Sequence, residues 1–195
     1  MTIQLDSHLD QLLPVTFARL LTLCGFDLTD PNFKDTPNRM GKVYKELLYG
    51  HSLAAAQELQ NHLLKTFPSD LDEMVVVRNI DSVGVCPHHI LPVSYTTHVA
   101  YIPDQKVIGY SKIPRLVKIL SSRAVLQEQL VSDVADVLMN SLQPQGVAVH
   151  MTGIHACAKI RGVKSHDADM VICCLRGCLK NPDSKAEFLS MIAGK

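Results

Sequence analysis

Cys86-Pro87-His88-His89 is the stretch from which the rest of this 195-residue chain is best read. Its Cys-x-x-His spacing offers two metal ligands, Cys86 and His89, from one turn, and a second cluster, His155-Ala156-Cys157, offers a third in Cys157. Three protein ligands with a fourth position open is the arrangement of catalytic rather than structural zinc. Such a zinc lowers the pKa of water to about 7 and makes it a nucleophile near neutrality. His88 and His155 stand beside ligands without being needed as ligands, which leaves them for proton transfer. Taken singly, each piece has a plainer reading, since a lone buried cysteine is usually a small core hydrophobe. The same pairing of thiol and spare imidazole in both clusters argues for metal, as does their setting in strand-like segments where packing asks for neither.

Upstream, Met74-Val75-Val76-Val77-Arg78-Asn79-Ile80 is short and β-branched, hence a strand. Downstream, 94–102 and 106–110 read as a hairpin around Pro103-Asp104-Gln105, which places the Cys86 cluster between the first strand and that hairpin. Ser111 then caps a helix with Ile113, Leu116, Val117 and Leu120 on one face and Pro114 in its first turn. A second helix carries Leu126, Leu130, Val134, Val137 and Leu138 and stops before Pro144. Strands are expected at 147–151, 154–161 and 170–178, with a short helix at 187–192. Strand-strand-helix-helix followed by strand-strand hints at a pseudo-symmetric sheet.

The N-terminal part has a different texture. Residues 8–25 place Leu13, Phe17, Leu20, Leu21 and Cys24 near one helical face, with Pro14 expected near the first turn or at a kink. Thr36 as N-cap, Pro37 at the first helical position and Gly50 past the end frame a helix bearing Met40, Val43, Tyr44, Leu47 and Leu48. Residues 52–65 are rich in Ala, Leu and Gln and read as helix. The chain therefore divides into an N-terminal helical region, 1–70, and a mixed catalytic domain, 71–195.

Lys+Arg and Asp+Glu are both 19, so no bulk charge points to nucleic acid or a membrane surface, and 47% hydrophobic residues support a sizeable core. No apolar run approaches the roughly 20 residues of a spanning helix. Met1-Thr2-Ile3-Gln4-Leu5-Asp6 lacks the pattern of a secretory signal. The six cysteines do not form the framework of a small secreted domain, and the expected compartment is the cytoplasm.

Three polar groupings remain. Arg39 and Lys42 share a helix face and read either as a solvated basic face or as an anion clamp. Gly109-Tyr110-Ser111-Lys112-Ile113-Pro114-Arg115 brings a hydroxyl, two cations and free N–H groups to a helix N-terminus, which reads either as an ordinary capped surface helix or as an anion site. Gln127-Glu128 follows Arg123; a buried carboxylate there could accept paired N–H donors from a purine edge, although most glutamates on helices face water.

These motifs, in this order, resemble the GTP cyclohydrolase I family: Asp35-Thr36-Pro37-Asn38-Arg39, Cys86 through Pro92, Gly109 through Lys112, Arg123 through Glu128, and His155-Ala156-Cys157 followed by Arg161-Gly162-Val163. The resemblance implies an α+β tunnelling fold, with an antiparallel sheet, helices on one face, sheets joined into a barrel across subunits, and an N-terminal helical extension. It also implies a homo-oligomer, a decamer of two pentamers, with active sites between subunits. Carried over by position, it implies zinc on Cys86, His89 and Cys157, and His88, His155 and Ser111 in catalysis. Glu128 would anchor guanine with Gln127 beside it, while Arg39, Lys42, Lys112, Arg115 and Arg161 would surround the triphosphate and ribose of GTP. The implied reaction opens the guanine imidazole ring, releases formate and yields 7,8-dihydroneopterin triphosphate, a first step of pterin and folate biosynthesis.

The chain departs from the family twice. Pro87 stands where the family usually has Glu, and 164–170 reads Lys-Ser-His-Asp-Ala-Asp-Met where the family is rich in Ser and Thr. Two other readings follow: a cyclohydrolase of the same fold with a different purine or product, and a non-catalytic purine-binding paralogue. The second would have no use for spare proton carriers.

Overall fold

The computed structural model describes residues 6–63 and 65–193. Its centre is a four-stranded antiparallel sheet of order β2-β3-β5-β6, formed by Val75–Val85, Pro92–Ile102, Gly146–His155 and Met170–Gly177. Two antiparallel pairs, β2–β3 and β5–β6, flank the helices α4 (Lys112–Ser121) and α5 (Gln127–Leu142), so the expected two-halved order is the observed one. Strand alternation sends Val93, Tyr95, Val99, Tyr101, Val147, Val149 and Met151 to one face. There they meet Ile113, Leu116, Val117 and Leu120 of α4 and Leu130, Val131, Val134 and Leu138 of α5. This is the main core. Near α4 the buried Ser82 and Ser121 hydroxyls pair at 2.9 Å, so neither is left unsatisfied.

The opposite sheet face is covered at one end, where Phe188 of α7 (Pro182–Ala193) and Leu179 pack on Ala100 and Ala148. Farther along that face, alternation leaves Val83, Ile154 and Val171 exposed. A β-bulge interrupts β2 between Val77 and Ile80, with Asn79 in the left-handed region at φ 56°.

The N-terminal helices are α1 (Asp6–Leu23), α2 (Thr36–Leu47) and α3 (Leu53–Leu63). The first two are joined by Phe17 stacked on Tyr44, ring centroids 5.2 Å apart, and by Lys45 bonded to Asp10 at 2.8 Å. Among the described residues, no helix is long and apolar enough to cross a membrane.

Several local expectations are corrected. Asp35, not Thr36, is the N-cap of α2, and of the two places expected for Pro14 the first turn is ruled out, since it lies inside α1. The hairpin expected around Pro103 does not form: β4 (Lys106–Ile108) pairs with β1 (Thr66–Pro68), while β3 pairs with β2 and β5. A local turn signal was outweighed there by partners distant in sequence. Residues 154–161 are not a strand either. β5 runs unbroken to His155, and Ala156–Lys159 form the one-turn helix α6. The terminal helix begins at Pro182 instead of 187. Residue 64 of the expected helix 52–65 lies outside the described residues.

Candidate metal centre and active site

The β2–β3 connection is a tight turn closed on Cys86. The Cys86 N–H donates to the Leu91 carbonyl at 2.9 Å, and the Cys86 carbonyl accepts from Ile90 N–H at 2.8 Å. Ile90 is held at φ 54°, an unusual conformation for a β-branched side chain and a mark of local strain beside the cluster. Cys86 is 5% exposed, while His88 and His89 face outward. β3 carries the chain back, and β5 runs beside it with His155 paired to Val93. Two residues later, on α6, Cys157 comes alongside Cys86 with their sulfurs 3.7 Å apart.

One ligand atom each from Cys86, His89 and Cys157 lie within 4.8 Å of one another. His88 Nδ1 and His89 Nδ1 each lie 3.9 Å from the Cys86 sulfur. Burial and the neighbouring Cys86 push the Cys157 thiol up from its ordinary range. Two adjacent sulfurs with an imidazole are a borderline-soft donor set that fits zinc, and a bound divalent cation would favour the Cys157 thiolate.

Around this cluster stand several polar and titratable groups. His155 Nε2 lies 2.9 Å from Gln127 Oε1, and burial lowers its pKa against the opposing charge of Glu128. Glu128, in the first turn of α5, is exposed, and so open to a ligand. Arg161 reaches the cluster directly, its guanidinium 2.5 Å from His89 Nε2. Tyr95 was not singled out from sequence. It is buried edge-on to His155, with ring centroids 6.4 Å apart, and its phenol is pushed up to about 12 by burial and then by Cys86, Glu128 and Cys157. The one available signal was its inward strand position opposite Gly153.

The remaining cations sit on other elements. Arg39 is exposed and paired to Asp35 at 3.2 Å. Lys42 and Arg115 line a groove of about 1010 Å³ that also touches Tyr49, Glu58, Tyr95 and Lys118. Ser111 is the exposed N-cap of α4 with its hydroxyl unused in capping, and Lys112 is the first residue of that helix. Gln127, expected beside the substrate, is 1% exposed. Its Nε2 donates to the carbonyls of Met151 at 3.1 Å and Met170 at 2.9 Å.

Comparison with known proteins places the chain among named relatives. The chain is 41% identical over 174 residues to "GTP cyclohydrolase 1" of Campylobacter jejuni subsp. jejuni (strain 81-176), covering 89% of this chain and 90% of that one. It is 37% identical over 177 residues to "GTP cyclohydrolase 1" of Alkalilimnicola ehrlichii, covering 90% and 94%. Among solved structures it is similar to an archaeosine synthase QueF-like protein in its apo form, with TM-score 0.44 and 19% identity over 53% of this chain and 93% of that one. Residues 15–193 match the family described as GTP cyclohydrolase I, and with that match spanning nearly the whole sequence, the chain belongs to the GTP cyclohydrolase I family.

Proposed function

We propose that this chain hydrolyses GTP to formate and 7,8-dihydroneopterin triphosphate. The observation that carries the reading is the convergence of Cys86, His89 and Cys157, ligand atoms within 4.8 Å, with His155 and Glu128 beside them. These three residues would hold zinc, which when bound supplies Lewis acidity and a water acidified to near-neutral pKa.

The chain's own residues supply the rest. The Glu128 carboxylate accepts two adjacent N–H donors from the pyrimidine edge of guanine, which a carboxylate does better than an amide. His155 holds a proton for the imidazole nitrogen of the purine as that ring opens, and His88 serves the later transfers. Two waters enter, one to open the ring and one to release formate, and one leaves when the freed diamine closes onto the ribose carbons; Ser111 stands near the sugar. Arg39, Lys42, Lys112, Arg115 and Arg161 neutralise the triphosphate.

The same reading makes the protein a cytoplasmic homo-oligomer, a decamer of two pentamers with sites between chains, serving pterin and folate biosynthesis. Supporting it are apolar side chains left open on α1, among them Leu12, Val15 and Leu23, and on the bare sheet face, Val83, Ile154 and Val171. Domain 71–195 would carry the chemistry and the helical region 1–70 the extension.

One observation keeps a second reading in play: Pro87 removes the carboxylate usual in this loop, which fits a same-fold cyclohydrolase with a different purine or product. Purified, zinc-loaded protein given GTP should release formate stoichiometrically with a product of the mass of dihydroneopterin triphosphate. Formate with a different product mass would favour the second reading, and no formate would sink both for GTP.

A further inference from the structure

We infer that Gln127 is a positioning residue for His155 rather than a contact to the purine, and that Gly153 is a glycine because Gln127 occupies its side-chain space. The inference rests on the cyclohydrolase reading above and deepens it.

The orientation of the Gln127 amide follows from its neighbours. A primary amide has two donors on nitrogen and an oxygen that only accepts. The nitrogen lies between two main-chain carbonyls, Met151 at 3.1 Å on β5 and Met170 at 2.9 Å at the start of β6. Carbonyls only accept, so the reverse orientation would set three oxygens against one another. Oε1 is therefore the atom facing His155 Nε2 at 2.9 Å. Because it only accepts, Nε2 carries the hydrogen and the lone pair of the neutral ring sits on Nδ1. Gln127 thus selects the tautomer as well as the direction of the ring, as outer partners of functional imidazoles do. At 1% exposure its side chain leaves no surface for a base to touch.

Gly153 supplies the second half. It lies on β5 opposite Tyr95 on one side and Met170 on the other. A Cβ at this position would stand 2.2 Å from Gln127 Oε1 and 2.8 Å from its Cδ. No real contact is that close, so any side chain there must push the amide off His155. Glycine inside a strand costs stability and marks a close approach; here the approaching group is the amide that holds the imidazole.

The test compares zinc-loaded wild type with Gln127→Met, Gln127→Ala, Gly153→Ala and the double variant Gln127→Ala/Gly153→Ala, measuring kcat and KM for formate release from GTP and zinc per chain. Gln127→Met keeps the side-chain length and removes the acceptor. It and Gln127→Ala should each lose roughly 10- to 100-fold in kcat, with zinc retained and KM nearly unchanged. Gly153→Ala should lose a similar amount. The double variant should be no worse than Gln127→Ala, because the group that alanine would displace is already gone. A crystal structure of Gly153→Ala should show Gln127 Oε1 out of hydrogen-bond reach of His155, a readout independent of turnover. Wild-type kcat in Gln127→Met, or a raised KM with kcat intact, overturns the positioning role. Multiplying losses in the double variant, or an unmoved Gln127–His155 bond in Gly153→Ala, overturns the part given to Gly153. Failure of the wild type itself to release formate would instead refute the cyclohydrolase reading, and the crystal structure would still decide this one.

Discussion

The sheet with α4 and α5, and the N-terminal helices α1 and α2, are built to different degrees of completion. Leu130, Val131, Val134, Leu138 and Leu142 of α5 have no exposed surface at all. On α1, Leu12, Val15 and Leu23 remain 59%, 67% and 78% exposed. The candidate metal cluster belongs to the first region: Cys86 directly follows β2, and His155 ends β5 with Cys157 two residues on, in a sheet whose register is pinned by a buried face. Arg39 and Lys42 belong to the second. The cysteines and His155 sit on or next to the finished core, as do Lys112 and Arg115 on α4, whereas Arg39 and Lys42 sit on the helix packed against the more open α1. Tyr44 ties the two together, its hydroxyl donating to the Ile90 carbonyl in the metal loop at 3.4 Å.

The largest effects should therefore come from the cluster. Cys86→Ala and Cys157→Ala should each lose the metal and bring formate release to background. His155→Ala should keep the metal and lose about 10²- to 10⁴-fold in turnover. Metal analysis beside a formate assay separates the two cases, and wild-type zinc in both cysteine variants would remove these residues from the site.

Stability should divide along the same line. Leu130→Ala opens a cavity in the main core and should cost about 2–5 kcal/mol, whereas Val15→Ser on α1 should stay within about 0.5 kcal/mol for the single chain. Denaturant titration of both would show it. Oligomer mass, by light scattering, should move only for the Val15 variant; equal losses of stability would erase the comparison.

How much of this was legible in the sequence follows the same division. The convergence of Cys86, His89 and Cys157 could be read because thiol and imidazole at ligand spacing are chemically rare, and α4 and α5 because Ile113, Leu116, Val117 and Leu120, and Leu130, Val134 and Leu138, keep helical period. Pairings made at a distance could not be read. Lys106–Ile108 looked like the return strand of a hairpin, yet its partner is Thr66–Pro68. The end of β5 was blurred because Ile154 through Arg161 continues the apolar texture of a strand while the backbone turns into α6. Gln127 was placed by its neighbour Glu128; only the fold shows that adjacent helical residues point apart, one into the sheet and one to solvent.

A smaller effect is expected from the cations of the less finished region. Arg39→Ala should raise KM for GTP by roughly 10-fold or more, the scale of a lost hydrogen bond to a charged group, with kcat nearly intact. Its pair with Asp35 is mostly solvent-exposed, so stability should barely change. Steady-state kinetics read the split, and a collapse of kcat with KM unchanged would place Arg39 in the chemistry instead.

The smallest change should follow Pro87→Glu, although it restores the residue usual in the family. The turn it occupies is closed by the N–H and carbonyl of Cys86, bonded to Leu91 and Ile90, and asks no hydrogen bond of position 87. Proline there costs nothing and narrows the conformations of the loop before the metal arrives. A glutamate would add a carboxylate beside two thiols and two imidazoles. It would tune proton affinities in the loop, but on the proposed reading the ligands are Cys86, His89 and Cys157 and the proton carriers His88 and His155, none of which the substitution touches. Turnover on GTP should therefore stay within roughly tenfold of wild type, well short of the loss expected when an acid–base group is removed. The pH profile should move more than the maximal rate. Pro87→Gly, which frees the loop, should weaken zinc binding more than Pro87→Glu does, and competition with a chelator measures that order. If zinc-loaded wild type is silent on GTP while Pro87→Glu releases formate, the carboxylate is essential and position 87, not the metal cluster, decides what this chain acts on.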